Sequence, residues 1–414
     1  MKEKIREFIR KVKMLKKYGL HDACSIVYTR IINNTIMNVM SKIVREKQLD
    51  ELGKKVLNKR VIVFAPSIDW FLPLFQRPQQ LAMAYSKKKD TFVVYFSKKT
   101  KFDKFPLLSK VHDNCWVMDE KYIKEIDGAL NGAKQVILSI SWVTCKRYAE
   151  IIRCDKLIYE YIDELSLFRG YDQQMELDHI ELLQKEDVAV ATATKLYNSI
   201  KSNSKNAILS TNGVDYEFFH NAKNIAMNKR ICNKVKKYSC VLGYYGALAS
   251  WFDYDLVAEV ARRKPDWCWV LVGYDYDFSI RKSGILKIPN IIHINARPYQ
   301  ELPSFLTAFD IATIPFIIND ITLSTSPVKL FEYMAGGKPI LCSNMPECLK
   351  YQSVKTYSSA DDFIAKSEEL LALKRNDPYW ALLEKEALEN TWDAKTDEIL
   401  KALNGEETGG PVID

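Results

Sequence analysis

Residues 324–340 read Ser324-Thr325-Ser326-Pro327-Val328-Lys329-Leu330-Phe331-Glu332-Tyr333-Met334-Ala335-Gly336-Gly337-Lys338-Pro339-Ile340. A good N-cap (Ser326), a proline suited to the first helical position (Pro327) and a glycine stop (Gly336) frame a short helix. At about 100° per residue, Leu330, Met334, Phe331, Ala335 and Val328 form one apolar face, and Lys329, Glu332 and Tyr333 share the opposite stripe. The start of such a helix attracts anions, because free N–H groups and the positive end of the dipole meet there. Lys329 adds a full charge one turn in. Glu332, a turn further on, accepts hydrogen bonds from paired hydroxyls such as those of a ribose, so the pattern describes a nucleoside diphosphate site. The competing reading is a solvent-exposed Lys–Glu pair at i,i+3, worth a few tenths of a kcal/mol.

Working outward, the helix sits between β-rich runs at 311–315 and 339–342, within a series that also includes 240–245, 268–273 and 291–294. An earlier series lies at 61–65, 91–96, 135–140, 156–161, 188–192 and 207–210. Apolar strands alternating with helices predict parallel sheets covered on both faces. Two series in one chain predict an α/β fold of two doubly wound, Rossmann-like domains facing a cleft. A length of 414 residues fits two domains and is too long for one ordinary core. The turn Asn212-Gly213-Val214-Asp215 closes the first series. The expected units are a basic helical extension over 1–60, a first domain over 61–212, a second over 213–380, and a terminal helix over 381–414 that returns toward the first domain and ends in a tail.

The net charge of +8 is not spread evenly. Residues 1–60 carry 16 Lys/Arg against 6 Asp/Glu, and the remainder 44 against 46. A body without basic excess argues against nucleic acid as a partner. Within 1–18, Ile5, Phe8, Ile9, Val12 and Leu15 recur at helical spacing among lysines and arginines. That helix either packs on the body or mediates oligomerisation, or it lies on an anionic bilayer; residues 1–50 are the candidate membrane-contacting segment. The nine cysteines form no Cys-x-x-Cys pair, and the five histidines show no metal-ligand spacing. Buried reduced thiols, no cofactor, no metal and a cytoplasmic location, peripheral on the inner face of the plasma membrane, are the expectations. The first residues are charged, and no apolar run approaches the ~20 residues of a transmembrane helix.

The segment at 324–340 resembles the donor-binding helix of GT-B glycosyltransferases, especially family 4 and relatives from polysaccharide and teichuronic-acid clusters. The likeness extends to Trp70 with Leu74-Phe-Gln-Arg-Pro-Gln-Gln-Leu-Ala82, Leu157-Ile-Tyr-Glu-Tyr-Ile-Asp-Glu164, Asn212-Gly-Val-Asp215, Leu242-Gly-Tyr-Tyr-Gly-Ala247 with Trp251-Phe-Asp253, and Phe309-Asp-Ile-Ala-Thr-Ile-Pro-Phe316. It covers about residues 61 to 400. The resemblance implies a bacterial-type hexosyltransferase. Such an enzyme moves a sugar from a nucleotide diphosphate donor, UDP-linked by expectation, to a hydroxyl of a cell-surface polysaccharide or polyprenyl-diphosphate-linked glycan. It also implies retention of configuration and no metal. A nucleotide-sugar epimerase on the same fold and a non-catalytic sugar-nucleotide-binding scaffold are the alternatives.

By resemblance, Glu332 matches the second glutamate of the family's Glu-seven-residues-Glu signature, which binds the ribose. The first falls at Ser324, so the usual sugar contact is missing, and Asp320 or Asn319 is a substitute. The family's Arg/Lys pair after the glycine turn is also missing around Gly246 and Ala247. Lys329, the helix start at Thr325-Ser326-Pro327, and Arg297 then carry the phosphates; Arg297 instead faces the base, or is a surface arginine. On the first domain, Asp69, Trp70 and Arg77 flank the first strand-to-helix turn as acceptor residues. Arg77 suits a phosphate of donor or acceptor, or forms a structural ion pair. Asp163 and Glu164 end the strand at 156–161; one of them, Asp163 by preference, orients the acceptor hydroxyl or acts as its base, unless both are a solvated turn. Asp163, Arg77 and Lys329 are thus the candidate catalytic residues, with Glu164 joining the acceptor set. Asp275-Tyr276-Asp277 has the letters of a metal motif but reads as a donor-side turn.

Overall fold

A computed structural model describes residues 42–72, 75–98, 108–374 and 377–406. The expected helix of 1–18 and the tail from 407 lie outside the described residues; residues 42–56 are helical.

The apolar runs form two sheets. The first contains β1 (Arg60–Phe64), β2 (Thr91–Ser97), β3 (Leu108–His112), β4 (Cys115–Asp119), β5 (Gln135–Ile140), β6 (Lys156–Tyr161), β7 (Val188–Ala191) and β8 (Ala207–Leu209), in the order β3-β4-β2-β1-β5-β6-β7-β8. The second contains β9 (Cys240–Tyr245), β10 (Trp267–Val272), β11 (Ile291–Ile294), β12 (Ile311–Ile314), β13 (Ile340–Ser343) and β14 (Val354–Tyr357), in the order β11-β10-β9-β12-β13-β14. Every pairing is parallel except β3 with β4. Strands such as β2 and β10 are buried at every residue, as expected for sheets covered on both faces. β3, β4 and β14 are additions to the expected strands. β3 and β14 lie at sheet edges, where β14 buries only its end residues and so lacks a continuous apolar run.

The helices used below are α1 (Arg77–Lys87), α2 (Gln173–Lys185), α3 (Thr194–Ile200), α4 (Tyr254–Arg263), α5 (Val328–Ala335), α6 (Pro346–Leu349), α7 (Pro378–Glu389) and α8 (Trp392–Leu403). Local chemistry starts several of them: Asp172 caps α2 and Asp253 caps α4 by accepting from Met175 and Leu256 amides. α7 packs on α5, within the second domain. The crossing back therefore falls at Asn390–Trp392, later than the expected boundary after 380. There the Val214 amide donates to Asn390 O at 3.0 Å and the Trp392 amide to Val214 O at 3.0 Å. Gly213 fits under this crossing because a Cβ would meet Asn390 O at 2.8 Å. α8 then packs against α1, and Trp392, Ile399 and Leu403 join the core over Phe64, Tyr85 and Tyr95 of the first domain.

Each sheet reverses its strand order beside its first strand, between β1 and β5 and between β9 and β12. Ligands of open α/β sheets bind outside the carboxyl ends of strands at such reversals. β9 and β12 pair over only Ile311↔Leu242 and Ala312↔Gly243, so beyond those residues the strand ends are free to diverge.

Candidate functional site

A cavity of about 320 Å³ opens between the two domains at these strand ends. The second domain contributes Tyr245, Gly246 and Ala247 after β9, Gly273 and Tyr274 after β10, Arg297 and Tyr299 after β11, and Thr325 through Lys329 with Glu332 from α5. The first domain contributes Phe75, Gln76, Arg77, Ile162, Asp163 and Thr192, with Asn212 from the crossing.

α5 begins one residue later than its sequence implies. Pro327 is the N-cap, and its side chain makes no capping bond. Ser326 is instead held by the crossing: the Asn212 side-chain amide donates to Ser326 O at 2.6 Å, and the Asn212 backbone amide to its hydroxyl at 3.3 Å. The Leu330 amide donates to Pro327 O, but no side chain caps this helix start, and Thr325 to Lys329 line the cavity, where an anion would meet the positive end of the helix. The stripe of Lys329, Glu332 and Tyr333 is not a solvent face. Tyr333 is fully buried, and its hydroxyl accepts from the Tyr245 amide at 3.2 Å. Glu332 is 4% exposed. The solvent-exposed Lys–Glu pair is therefore excluded.

Lys329 has no ion-pair partner among the described residues. Its ammonium lies 5.4 Å from the Tyr244 ring centre and 5.2 Å from that of Phe316, contacts that offset part of its desolvation. Gly246 makes room for it: at φ +141° a Cβ there would come within 2.9 Å of Lys329 Cε. Burial pulls the Lys329 ammonium down to about 8, and the charge of Glu332 only partly restores it. Burial likewise pushes the Glu332 carboxyl up to about 7, opposed by the Tyr245 hydroxyl and by Lys329. The Tyr245 hydroxyl lies close to Glu332 but short of hydrogen-bond geometry, and neither it nor the buried Tyr299 hydroxyl has a partner. A buried carboxylate, a half-buried ammonium and two unpartnered hydroxyls thus meet at one cavity, an arrangement that costs stability until a polar ligand completes it.

The remaining expected residues divide between those that line the cavity and those that do not. Gly246, Ala247, Arg297, Thr325, Ser326, Pro327, Lys329, Glu332, Arg77 and Asp163 line it. Arg297 does so while paired with Glu301 at 2.9 Å. Arg77 forms the structural ion pair: its guanidinium reaches Glu160 at 3.2 Å and donates to Thr211 O at 2.9 Å, with both charged side chains almost wholly buried. It locks α1 to β6 and to the crossing. Asp163 is open to solvent inside the cavity, yet protein surrounds it, and desolvation raises its carboxyl above the ordinary aspartate value.

Asp320 is 76% exposed, bridges to Lys195 at 3.4 Å and does not line the cavity. Asn319 caps the short helix that Asp320 begins, and Ser324 is buried with its hydroxyl donating to Asp320 O. Nor do Asp69, Trp70 and Glu164 line the cavity. Asp69 is occupied by the Lys98 amide at 2.6 Å, and Trp70 packs on Tyr95 and Phe75. Glu164 accepts from the Tyr161 hydroxyl at 3.2 Å. These three belong to the first domain's own loops rather than to the cleft. Asp275 faces Arg281 and Asp277 accepts from the Ser250 amide, so both carboxylates serve their turn. Among the lining residues not anticipated as site members are Tyr245, Tyr299, Thr192 and Asn212. Tyr245 is the last residue of β9, at the carboxyl edge where ligands gather, and that position is the signal that identifies it.

Proteins similar to this chain include glycosyltransferases. No protein-family model matches the chain. It is 29% identical over 196 residues, 46% of its length, to a Bacillus subtilis (strain 168) protein named "Putative teichuronic acid biosynthesis glycosyltransferase TuaH". The match spans 49% of that relative, about half its length. The fold is similar to sucrose-phosphate synthase from Thermosynechococcus elongatus (TM-score 0.58, 14% identity, covering 84% of this chain and 99% of that one). It is similar as well to Anabaena Alr3699/HepE, solved in complex with UDP and glucose (TM-score 0.60, 11% identity, covering 84% and 100%). The two-domain architecture is the GT-B fold of these glycosyltransferases.

Proposed function

We propose that this chain transfers a hexosyl group from a UDP-sugar to a hydroxyl of a cell-surface polysaccharide or lipid-linked glycan, with retention of configuration and without a metal ion. The observation that carries this reading is the mutually unpaired set of half-buried Lys329, buried Glu332 and the first turn of α5 around one cavity between the domains. The amides and Lys329 suit a diphosphate, and Glu332 with the Tyr245 hydroxyl suits the paired hydroxyls of a ribose. The fold shared with HepE, which holds UDP and glucose, supports the nucleotide, and the name of the Bacillus relative supports a polymeric glycan acceptor.

The chemistry requires donor and acceptor in register and a stabilised leaving diphosphate. Lys329 and the α5 amides perform the second task. Asp163, at the acceptor side with a raised carboxyl, orients the incoming hydroxyl or takes its proton. Contact with a membrane through residues 1–50 accompanies this reading and rests on their composition. The test is a panel of UDP-sugars incubated with lipid-linked glycan acceptors in the presence of a chelator. A transferred sugar whose anomeric configuration by NMR matches the donor's supports the reading. Free altered sugar nucleotide without acceptor would point to the epimerase, and UDP binding without turnover to the scaffold.

A further inference from the structure

Next to the nucleotide cavity lies a second of about 380 Å³, joined to it through Gln76, Arg77, Ile162 and Asp163. Its other walls include Ser67, Ser141, Trp142, Tyr161 and Phe168 from the first domain and Tyr276 from the second. Trp142 and Phe168 meet edge to face, with ring centres 4.6 Å apart. Phe168 and Tyr276 are both exposed, Tyr276 by 57%, although each lies beside a cavity that could cover it. Tyr276 is held by Trp251, 5.6 Å away on the same domain. The Ser67 and Ser141 hydroxyls sit 2.7 Å apart at the ends of β1 and β5, the reversal point of the first sheet.

The charges here are as informative as the rings. Arg77 is the sole cation among the described residues lining this chamber, and its guanidinium is committed to Glu160 and Thr211 O. The other charged lining residues are Glu160, which Arg77 already holds, and Asp163. A phosphate in the chamber would lose its hydration, meet a carboxylate and gain no free cation. A sugar ring has the complementary surface: C–H faces for the aromatic rings, and hydroxyls for Ser67, Ser141 and Asp163.

We infer that this chamber receives the acceptor as an uncharged sugar ring placed between Trp142/Phe168 and Tyr276, with a ring hydroxyl presented to Asp163, and that it rejects sugar phosphates. This rests on the glycosyl-transfer reading and names the acceptor class for it. Any phosphate of a carrier lipid then lies outside the chamber, at least one sugar residue away from the reacting hydroxyl.

The experiment measures initial rates at fixed UDP-sugar with neutral methyl glycosides and with the 6-phosphates of the same sugars. It also titrates UDP by calorimetry. The expected result is turnover of at least one neutral glycoside, with kcat/KM for its phosphate lower by about tenfold or more. Trp142→Ala and Phe168→Ala raise the acceptor KM by about tenfold and leave the donor KM within about twofold, while Trp142→Phe recovers most of the loss. Preference for the phosphates, an acceptor KM unmoved by both alanine variants, or UDP binding without turnover of any neutral glycoside overturns the inference but spares the nucleotide site. Absence of UDP binding overturns both.

Discussion

Replacing Glu332 by glutamine should stabilise the protein and impair it at once, because the carboxylate occupies a site built for a ligand. Its carboxyl stands at about 7 against an ordinary 4.5 because burial penalises the ion. A group whose folded value is raised gives its full stability below the ordinary value and loses it as pH climbs through the folded value. The rise from 4.5 to about 7 corresponds to about 3 kcal/mol lost by pH 8 and nearly nothing at pH 4.5. A neutral amide of the same shape carries no such penalty. Calorimetric unfolding of wild type and Glu332→Gln between pH 5 and pH 8.5 measures the difference, read on the transition that UDP shifts upward in the wild type. The variant's advantage should grow with pH across this range, while its UDP affinity falls by about 10- to 100-fold through loss of a charge-assisted hydrogen bond. A variant equally or less stable at pH 8, or an advantage that does not change with pH, would refute the argument that Glu332 is a desolvated ion awaiting a partner.

Other perturbations probe separate parts of the account. UDP affinity should follow a bell in pH, weakening below about 7 as Glu332 takes a proton and above about 8 as Lys329 loses one; calorimetry across pH checks both limbs. Gly246→Ala places a methyl group against Lys329 in a left-handed backbone conformation, and should reduce UDP affinity by about tenfold or more, measured by the same titration. Asp163→Asn should lower kcat by about 100-fold or more with little change in UDP affinity, separating the acceptor role from donor binding in steady-state kinetics. Glu347, buried on α6, accepts from the Thr194 amide at the start of α3 at 2.7 Å and so ties the domains together. Glu347→Ala should raise the radius of gyration of the ligand-free protein by small-angle scattering, and UDP should reverse much of the change.

The layout of the fold was legible because buried parallel strands are nearly continuous apolar runs, and eleven of the strands announce themselves that way. The edge strands β3 and β14, and β4 beside the first of them, were not. β3 mixes buried Leu108 with Lys110 and His112, and its pairing with β4 shifts register between Lys110 and His112. Such strands are defined by their neighbour rather than by their own composition. The site was half legible for a related reason. Residues on α5 could be placed by helical spacing, so Lys329 and Glu332 emerged together. The stripe they share with Tyr333 reads as a wet face in sequence, because periodicity cannot tell water from a ligand cavity or from Tyr245 of a neighbouring strand. On the first domain, Asp69, Trp70 and Glu164 have suitable chemistry close to strand ends, yet Lys98, Tyr95 and Tyr161 already occupy them. Lys98 lies 29 residues from Asp69, beyond the reach of a local pattern, whereas Tyr161 is three residues from Glu164 and meets it only because of how the strand end turns.

Lys329 and Glu332 are proposed to hold a nucleoside diphosphate between the domains. The most direct measurement of that role is a calorimetric titration of UDP into the wild-type protein and into Lys329→Ala and Glu332→Ala, with folding verified for each by circular dichroism. Saturable binding at one site is expected in the wild type, with a loss of about tenfold or more in each variant. UDP affinity unchanged in both variants would contradict it.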